Sequence, residues 1–93
     1  MIKSFRNSIA EAAWQRRFIK AVSREIMLTA NRKLTQLHNA QNLDDLRLPP
    51  GNRLEALSGK RKGQFSIRIN DQWRVCFRWH ENDAYDVEVV DYH

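Results

Sequence analysis

Gln64 to His93 reads QFSIRINDQWRVCFRWHENDAYDVEVVDYH, and its alternation decides the fold. Phe65, Ile67 and Ile69 share one parity. Trp73, Val75, Phe77 and Trp79 share one, as do Tyr85, Val87 and Val89. A period of two over such runs marks half-buried strands. Asn70-Asp71-Gln72 and Glu81-Asn82-Asp83 are polar breaks of hairpin length. The spacing predicts a three-stranded antiparallel meander with one apolar face.

Keeping that face continuous sets the register. A three-residue turn at 70–72 pairs Ile69 with Trp73, Ile67 with Val75 and Phe65 with Phe77. The opposite face then carries Arg68 against Arg74 and Gln64 against Arg78. Like charges directly opposed across strands repel. The two arginines therefore either splay into water, some of the face's arginines pairing with Asp86 or Glu88, or hold an anion between them. By parity Tyr92 joins this face near Arg74. His93 beside it is of a residue type that titrates near neutral pH, with a reference pKa of about 6.5. Two arginines, a tyrosine and a histidine on one face suit the binding and cleavage of a phosphodiester.

Working outward, the 93 residues allow one domain with one modest core. Cys76 is the single cysteine, which excludes an internal disulfide and fits a reducing compartment. The start, MIKSFRNS, lacks the apolar core of a secretory signal, and no apolar run approaches the ~20 residues of a membrane span. The expectation is a cytoplasmic protein without a membrane partner. The net charge of +5 is unevenly spread: residues 1–52 carry +5, residues 53–80 carry +5, and residues 81–93 carry −5. Arg53, Lys60-Arg61-Lys62, Arg68, Arg74 and Arg78 make the middle a candidate footprint for a nucleic-acid backbone.

Toward the N-terminus, Ile2 to Phe5 can supply a strand to the sheet. Ser8-Ile9-Ala10-Glu11 reads as a capping box, so a helix starts at Ser8 with Ile9, Ala12, Ala13 and Phe18 inward. It falters between Arg17 and Arg24. A second helix over 24–40 carries Ile26, Met27, Ala30, Leu34 and Leu37 inward, with Arg32, Lys33 and Gln36 outward. His38 reads as a surface histidine and Trp14 has no evident partner. In the connector 42–52, Leu43, Leu46 and Leu48 are expected to pin the chain to the core before Pro49-Pro50-Gly51 turns it. Lys60-Arg61-Lys62, flanked by Gly59 and Gly63, reads as a flexible positive loop. His38, His80 and His93 lack metal-ligand spacing and no phosphate-cradling fingerprint is present, so neither metal nor cofactor is expected.

With these residues in view, the chain resembles the HigB-type toxins (host-inhibition, plasmid-maintenance killers) of the RelE superfamily. The resemblance is carried by PPGNRLEALSGKRKGQFSIRINDQWRVCFRW, by DAYDVEVVDYH and by MIKSF. It implies an α+β fold, a small antiparallel sheet packed against two N-terminal helices. It also implies an endoribonuclease that cleaves messenger RNA, usually on the ribosome. The implied partner is a HigA-like helix-turn-helix antitoxin, through which alone the toxin meets operator DNA. Arg74 matches the family's strand arginine that contacts the scissile phosphate. Asp91, Tyr92 and His93 match its terminal triplet, with the histidine as proton-transfer group. Some members carry HPLKG with catalytic histidine and lysine. Here Glu55 stands in place of that histidine and Ser58 in place of the lysine, leaving Lys60 or Arg61 to supply the missing cation.

The mechanism expected on this resemblance is metal-free. A 2′-hydroxyl attacks the adjacent phosphate, giving a 2′,3′-cyclic phosphate and a 5′-hydroxyl. Glu55 is the base and His93 the acid. Arg74, helped by Arg68, stabilises the phosphorane, and Tyr92 stacks or orients. Lys60, Arg61, Lys62 and Arg53 bind backbone phosphates. The competing reading is a module of the same fold that binds RNA, ribosome or antitoxin without catalysis, favoured by the loss of the lysine at Ser58.

Overall fold

The computed structural model describes residues 1–92. Helices α1 (Ser8–Trp14) and α2 (Arg24–Asn39) precede a four-stranded antiparallel sheet. Its strands are β1 (Glu55–Ala56), β2 (Phe65–Arg68), β3 (Trp73–His80) and β4 (Asp83–Asp91), and they lie in sequence order. The expected α+β class is what forms. The expected meander is β2-β3-β4. A fourth strand, β1, joins β2 through Glu55↔Ser66 and Ala56↔Phe65 and is too short to show a periodicity.

The first hairpin takes the expected register: Phe65↔Phe77, Ile67↔Val75 and Arg68↔Arg74. The Ile69 N–H donates to the Trp73 carbonyl at 2.9 Å. Asn70 Oδ1 accepts the N–H groups of Gln72 at 2.8 Å and Trp73 at 2.7 Å, so a side chain holds this turn. The second hairpin is tighter than expected. His80 pairs with Asp83, and the two intervening residues, Glu81 and Asn82, have φ of 48° and 65°. Two left-handed residues are what a type I′ hairpin turn requires, because its twist matches that of the strands.

Strand β4 breaks the expected parity at Tyr85. Val89 pairs with Val75, but Tyr85 pairs with Arg78 and Ala84 with Trp79. The offset falls between Cys76 and Arg78 on β3. On β4, Asp86 sits at φ 52° and absorbs the extra residue as a bulge. Ala84, Val87 and Val89 are thus all buried, and Tyr85 lies on the arginine face.

Ile2 and Phe5 make parallel bridges to Ala84 and Val87 along the outer edge of β4. The N–H groups of Lys3 and Arg6 donate to the carbonyls of Ala84 and Val87, both at 2.8 Å. The Asp86 N–H donates to Ser4 Oγ at 2.9 Å, so the bulge is satisfied by this same segment. Asn7, not Ser8, caps α1. Its Oδ1 accepts from Ala10 N–H at 3.0 Å and its Nδ2 donates to the Val89 carbonyl at 2.9 Å. A residue that caps the helix and bonds the sheet sets the angle between them.

Both helices cover the apolar face, with Ala10, Ala12, Ala13, Met27, Ala30, Leu34 and Leu37 against Ile67, Val75, Phe77, Val87 and Val89. Ser23 caps α2 by accepting the Ile26 N–H at 3.2 Å. Phe18 is not inward: it is 46% exposed, and the Arg24 guanidinium lies 4.3 Å from its ring centre. Trp14 has partners, the rings of Phe5 at 6.5 Å and His38 at 5.1 Å. His38 is structural, its Nδ1 accepting the Ile2 N–H at 3.1 Å. Among the described residues, no helix is long and apolar enough to cross a membrane.

In the connector, Leu46 is buried and Leu43 packs on the core, but Leu48 is 71% exposed. The pin is a polar residue. Asn52, with no exposed surface, accepts from Lys33 Nζ at 2.6 Å and donates to Gln36 Oε1, Leu46 O and Leu48 O at 3.1–3.3 Å. Lys33 and Gln36 therefore turn toward the connector, not outward. Burial, then neighbouring Arg32, lowers the Lys33 pKa. Replacing Asn52 with alanine strands an ammonium and two carbonyls, so urea unfolding should show a loss of about 2–3 kcal/mol. A loss near zero means the connector is held some other way.

Candidate active site

The face of the sheet away from the helices is not a plain solvated surface. One row runs across all four strands: Glu55 opposite Ser66, Ser66 opposite Cys76, Cys76 opposite Glu88. Ser66 and Cys76 have no exposed surface and Glu88 is 9% exposed. Over this buried polar floor lie the cationic side chains and Tyr92.

Arg74 is held from two sides. Its Nη1 donates to Glu55 Oε1 at 3.2 Å and its Nη2 to the Arg53 carbonyl at 2.8 Å. Its Cζ lies 5.7 Å from the centre of the Tyr92 ring. The Arg74 side chain is only 14% exposed against 51% for Glu55, and Arg74 Nε is buried without a partner among the described residues. The sequence thus brings Arg74, Glu55 and Tyr92 together as expected. Glu55 is not a free carboxylate, however; it is already the counter-ion of Arg74. Arg53 contributes its backbone: left-handed at φ 46° after the turn Pro50–Asn52, it offers its carbonyl to Arg74.

Arg68 sits opposite Arg74 as the register required. Its guanidinium is bonded to Asp71 in the adjacent turn, not to Asp86 or Glu88. Each arginine has its own carboxylate. Arg78 likewise approaches Asp86 at 3.5 Å.

The basic loop is more structured than a glycine-flanked run of cations suggests. Gly59 at φ 62° and Gly63 at φ 92° bracket a 3₁₀ turn, Gly59–Arg61. Arg61 arches over the floor, its Nη1 donating to Glu88 Oε2 at 2.9 Å and to Gln64 Oε1 at 3.0 Å. The bond to Glu88 raises the Arg61 pKa above its ordinary value. Lys60 and Lys62 remain exposed. Tyr92 is anchored by its N–H to the Gln72 carbonyl at 2.6 Å, and Gln72 Nε2 donates to Asp91 Oδ2 at 2.9 Å. The end of β4 is thereby tied to the first hairpin turn. His93, the expected proton donor, lies outside the described residues.

Sequence reasoning missed Arg6. It joins Lys60, Arg61, Gln64 and Glu88 around an open cleft of about 280 Å³. Nothing in the sequence flags it, because its place depends on the parallel pairing of residues 2–5 with β4.

A RelE-like fold is what these elements define. YafQ from E. coli shares it with TM-score 0.65 at 15% identity, over 98% of this chain and 91% of that one. YoeB in the heterotetrameric YoeB-YefM toxin-antitoxin complex from Staphylococcus aureus shares it with TM-score 0.63 at 15% identity, over 100% and 98%. The chain belongs to the family described as RelE-like toxin of type II toxin-antitoxin system HigB, which matches residues 3–93. Toxin HigB-1 of Vibrio cholerae is 56% identical over 48 residues, 52% of this chain and 50% of that protein. Endoribonuclease HigB of Proteus vulgaris is 28% identical over 93 residues, the full length of both. The match thus spans about half the length of the Vibrio relative and all of the Proteus one.

Cys76 lies at the centre of the floor, and burial pushes its thiol up to about 11. A thiol kept protonated is a poor nucleophile. Alkylation by iodoacetamide at pH 8 should be slow in the folded protein and fast in denaturant. Because the folded value lies above the ordinary 9.0, this group's contribution to stability is full below pH 9 and is lost as pH rises toward 11. Melting temperature should fall across that window, and Cys76→Ser should flatten the fall.

Proposed function

We propose that this chain is the toxin of a type II toxin-antitoxin pair and an endoribonuclease. It acts in the cytoplasm on messenger RNA held by the translating ribosome, and it is silenced by a HigA-like helix-turn-helix antitoxin. The observation that carries this reading is the Arg74–Glu55 pair, 3.2 Å apart on an open sheet face beside Tyr92. A fixed guanidinium offers charge to a phosphate, and a solvent-accessible carboxylate next to it offers a proton acceptor. The full-length relative named an endoribonuclease supports the same chemistry.

The steps use side chains alone. The scissile phosphate displaces Glu55 from Arg74 and takes its place on the guanidinium. The freed carboxylate takes the proton of the 2′-hydroxyl as its oxygen bonds to phosphorus. The bond from phosphorus to the 5′-oxygen breaks, and His93 delivers a proton to the leaving oxygen. The products are a 2′,3′-cyclic phosphate and a 5′-hydroxyl. Glu55 is an intrinsically weak base, with a reference pKa of about 4.3. Positioning therefore contributes more than basicity, including in-line placement of the message by the ribosome. Tyr92 orients the phosphate over Arg74. Lys60, Arg61 and Lys62 contribute to the hold on the strand.

Ser58, standing where some relatives carry a catalytic lysine, favours a second reading as a non-catalytic binding module of the same fold. Mapping message 5′ ends in a translating extract separates the two. Arg74→Gln should lower cleavage by about two to three orders of magnitude. Glu55→Gln should lower it by about two to four orders. Thermal melting of either should stay within ~1 kcal/mol of the parent, since the Glu55 end of the pair is half exposed. A large loss of stability with either substitution makes the pair structural and removes the observation on which the reading stands.

His93→Ala should abolish growth arrest while the protein still folds and accumulates. Arrest by a well-expressed His93→Ala protein overturns its assignment as the acid.

A further inference from the structure

The cleft between the N-terminal segment and the basic loop differs from the Arg74 site in one respect: it is lined by three cations and one carboxylate, which holds one of the three. Glu88 Oε2 and Gln64 Oε1 both receive Arg61 Nη1, at 2.9 and 3.0 Å. Both residues are buried, Gln64 at 4% and Glu88 at 9% exposure. They turn a loop arginine of the cleft lining into a fixed one, and its Nε and Nη2 have no hydrogen-bond partner among the described residues. Across the cleft stands Arg6, whose N–H is bonded to the Val87 carbonyl at 2.8 Å while its side chain is exposed. Among the described residues, neither the Arg6 nor the Lys60 side chain has a hydrogen bond or ion pair. Arg61, Arg68, Arg74 and Arg78 each have a carboxylate partner of their own.

A cleft with three cations and one carboxylate, itself bonded to Arg61, favours an anionic ligand rich in acceptors, and a phosphate matches. The cleft is also beside the proposed reaction centre. Glu88 pairs with Cys76, two residues along β3 from Arg74, so one strand step and two residues separate the two sites, about 8 Å. Tyr92 lies beside Arg74, its ring centre 5.7 Å from Arg74 Cζ.

We propose that Arg6, Lys60 and Arg61 form a second phosphate subsite. It takes an RNA backbone phosphate neighbouring the scissile one, with Glu88 as the positioning residue that holds Arg61 over it. This rests on the reading of the chain as an RNA-cleaving toxin. Arg6 supplies point charge from a pinned backbone, outside the cleavage chemistry.

The test measures binding of a fluorescent 2′-O-methyl RNA octamer, which cannot be cleaved, by the full chain over a range of salt. Arg6→Gln/Lys60→Gln should bind more weakly and reduce the slope of log K against log salt by about 1.4, at about 0.7 per lost contact on a single strand. Arg6→Lys with Lys60 intact should keep the parent slope, because a point charge suffices there. Glu88→Gln should weaken binding while leaving Arg6 and Lys60 in place. A double variant with parent affinity and slope overturns the subsite. If that variant instead loses affinity only for the antitoxin, the cleft belongs to a protein partner and the proposal fails as well. Cleavage of messages in a translating extract is followed in parallel. A parent protein that cleaves there, with an unaffected double variant, refutes the subsite alone. A parent that neither binds RNA nor cleaves refutes the subsite and the activity together.

Discussion

One strand, β3, has to satisfy two solvents at once, and the molecule follows from how it does so. Val75 and Phe77 are wholly buried against the helices, and Arg74 between strand neighbours faces the other way. A slip of one residue would exchange the two sets. Burying a valine or phenylalanine is worth roughly 1.5–3 kcal/mol each, while a half-exposed ion pair such as Arg74–Glu55 gives about 1 kcal/mol or less. The apolar side therefore dictates the register, and the polar side inherits its positions. The candidate site is precise because the core behind it is demanding.

The inherited face would be a repulsive one without further arrangement. It is neutralised locally: Asp71 for Arg68, Glu55 for Arg74, Asp86 for Arg78 and Glu88 for Arg61. Two of those carboxylates, Asp86 and Glu88, come from the acidic last strand. The surplus positive charge is then left on residues such as Arg6, Lys60 and Lys62, at the rim and not at the centre. On the proposed function, these rim cations steer and hold a polyanion, Arg61 meets it while held by Glu88, and Arg74 meets it by exchanging Glu55 for a phosphate.

What the sequence makes legible is what alternation and local spacing encode. The Phe65–Phe77 register, the span of α2, and the meeting of Arg74 with Tyr92 all follow from period and parity over a few residues. The remainder depends on distant pairing. Strand β1 exists only because β2 offers it an edge. The Asp86 bulge is invisible in composition, since aspartate tolerates a left-handed backbone without announcing it. Arg61 looks like one cation among three until Glu88, distant in sequence, selects it. Asn52 and Asn7 are polar residues in a connector and before a helix. Only the folded chain makes them junctions.

The parallel docking of residues 2–5 on β4 has a consequence for how the molecule is made. The strip that closes the sheet is synthesised well before the edge it closes; Ser4 and Asp86 are separated by 82 residues. Contacts that distant are slow to form. Until they do, β4 presents a row of free amides and carbonyls, a template for another chain to extend. The nascent protein is thus most adhesive between the synthesis of β4 and the docking of residues 2–5, and whatever occupies that edge in the interval competes with that segment.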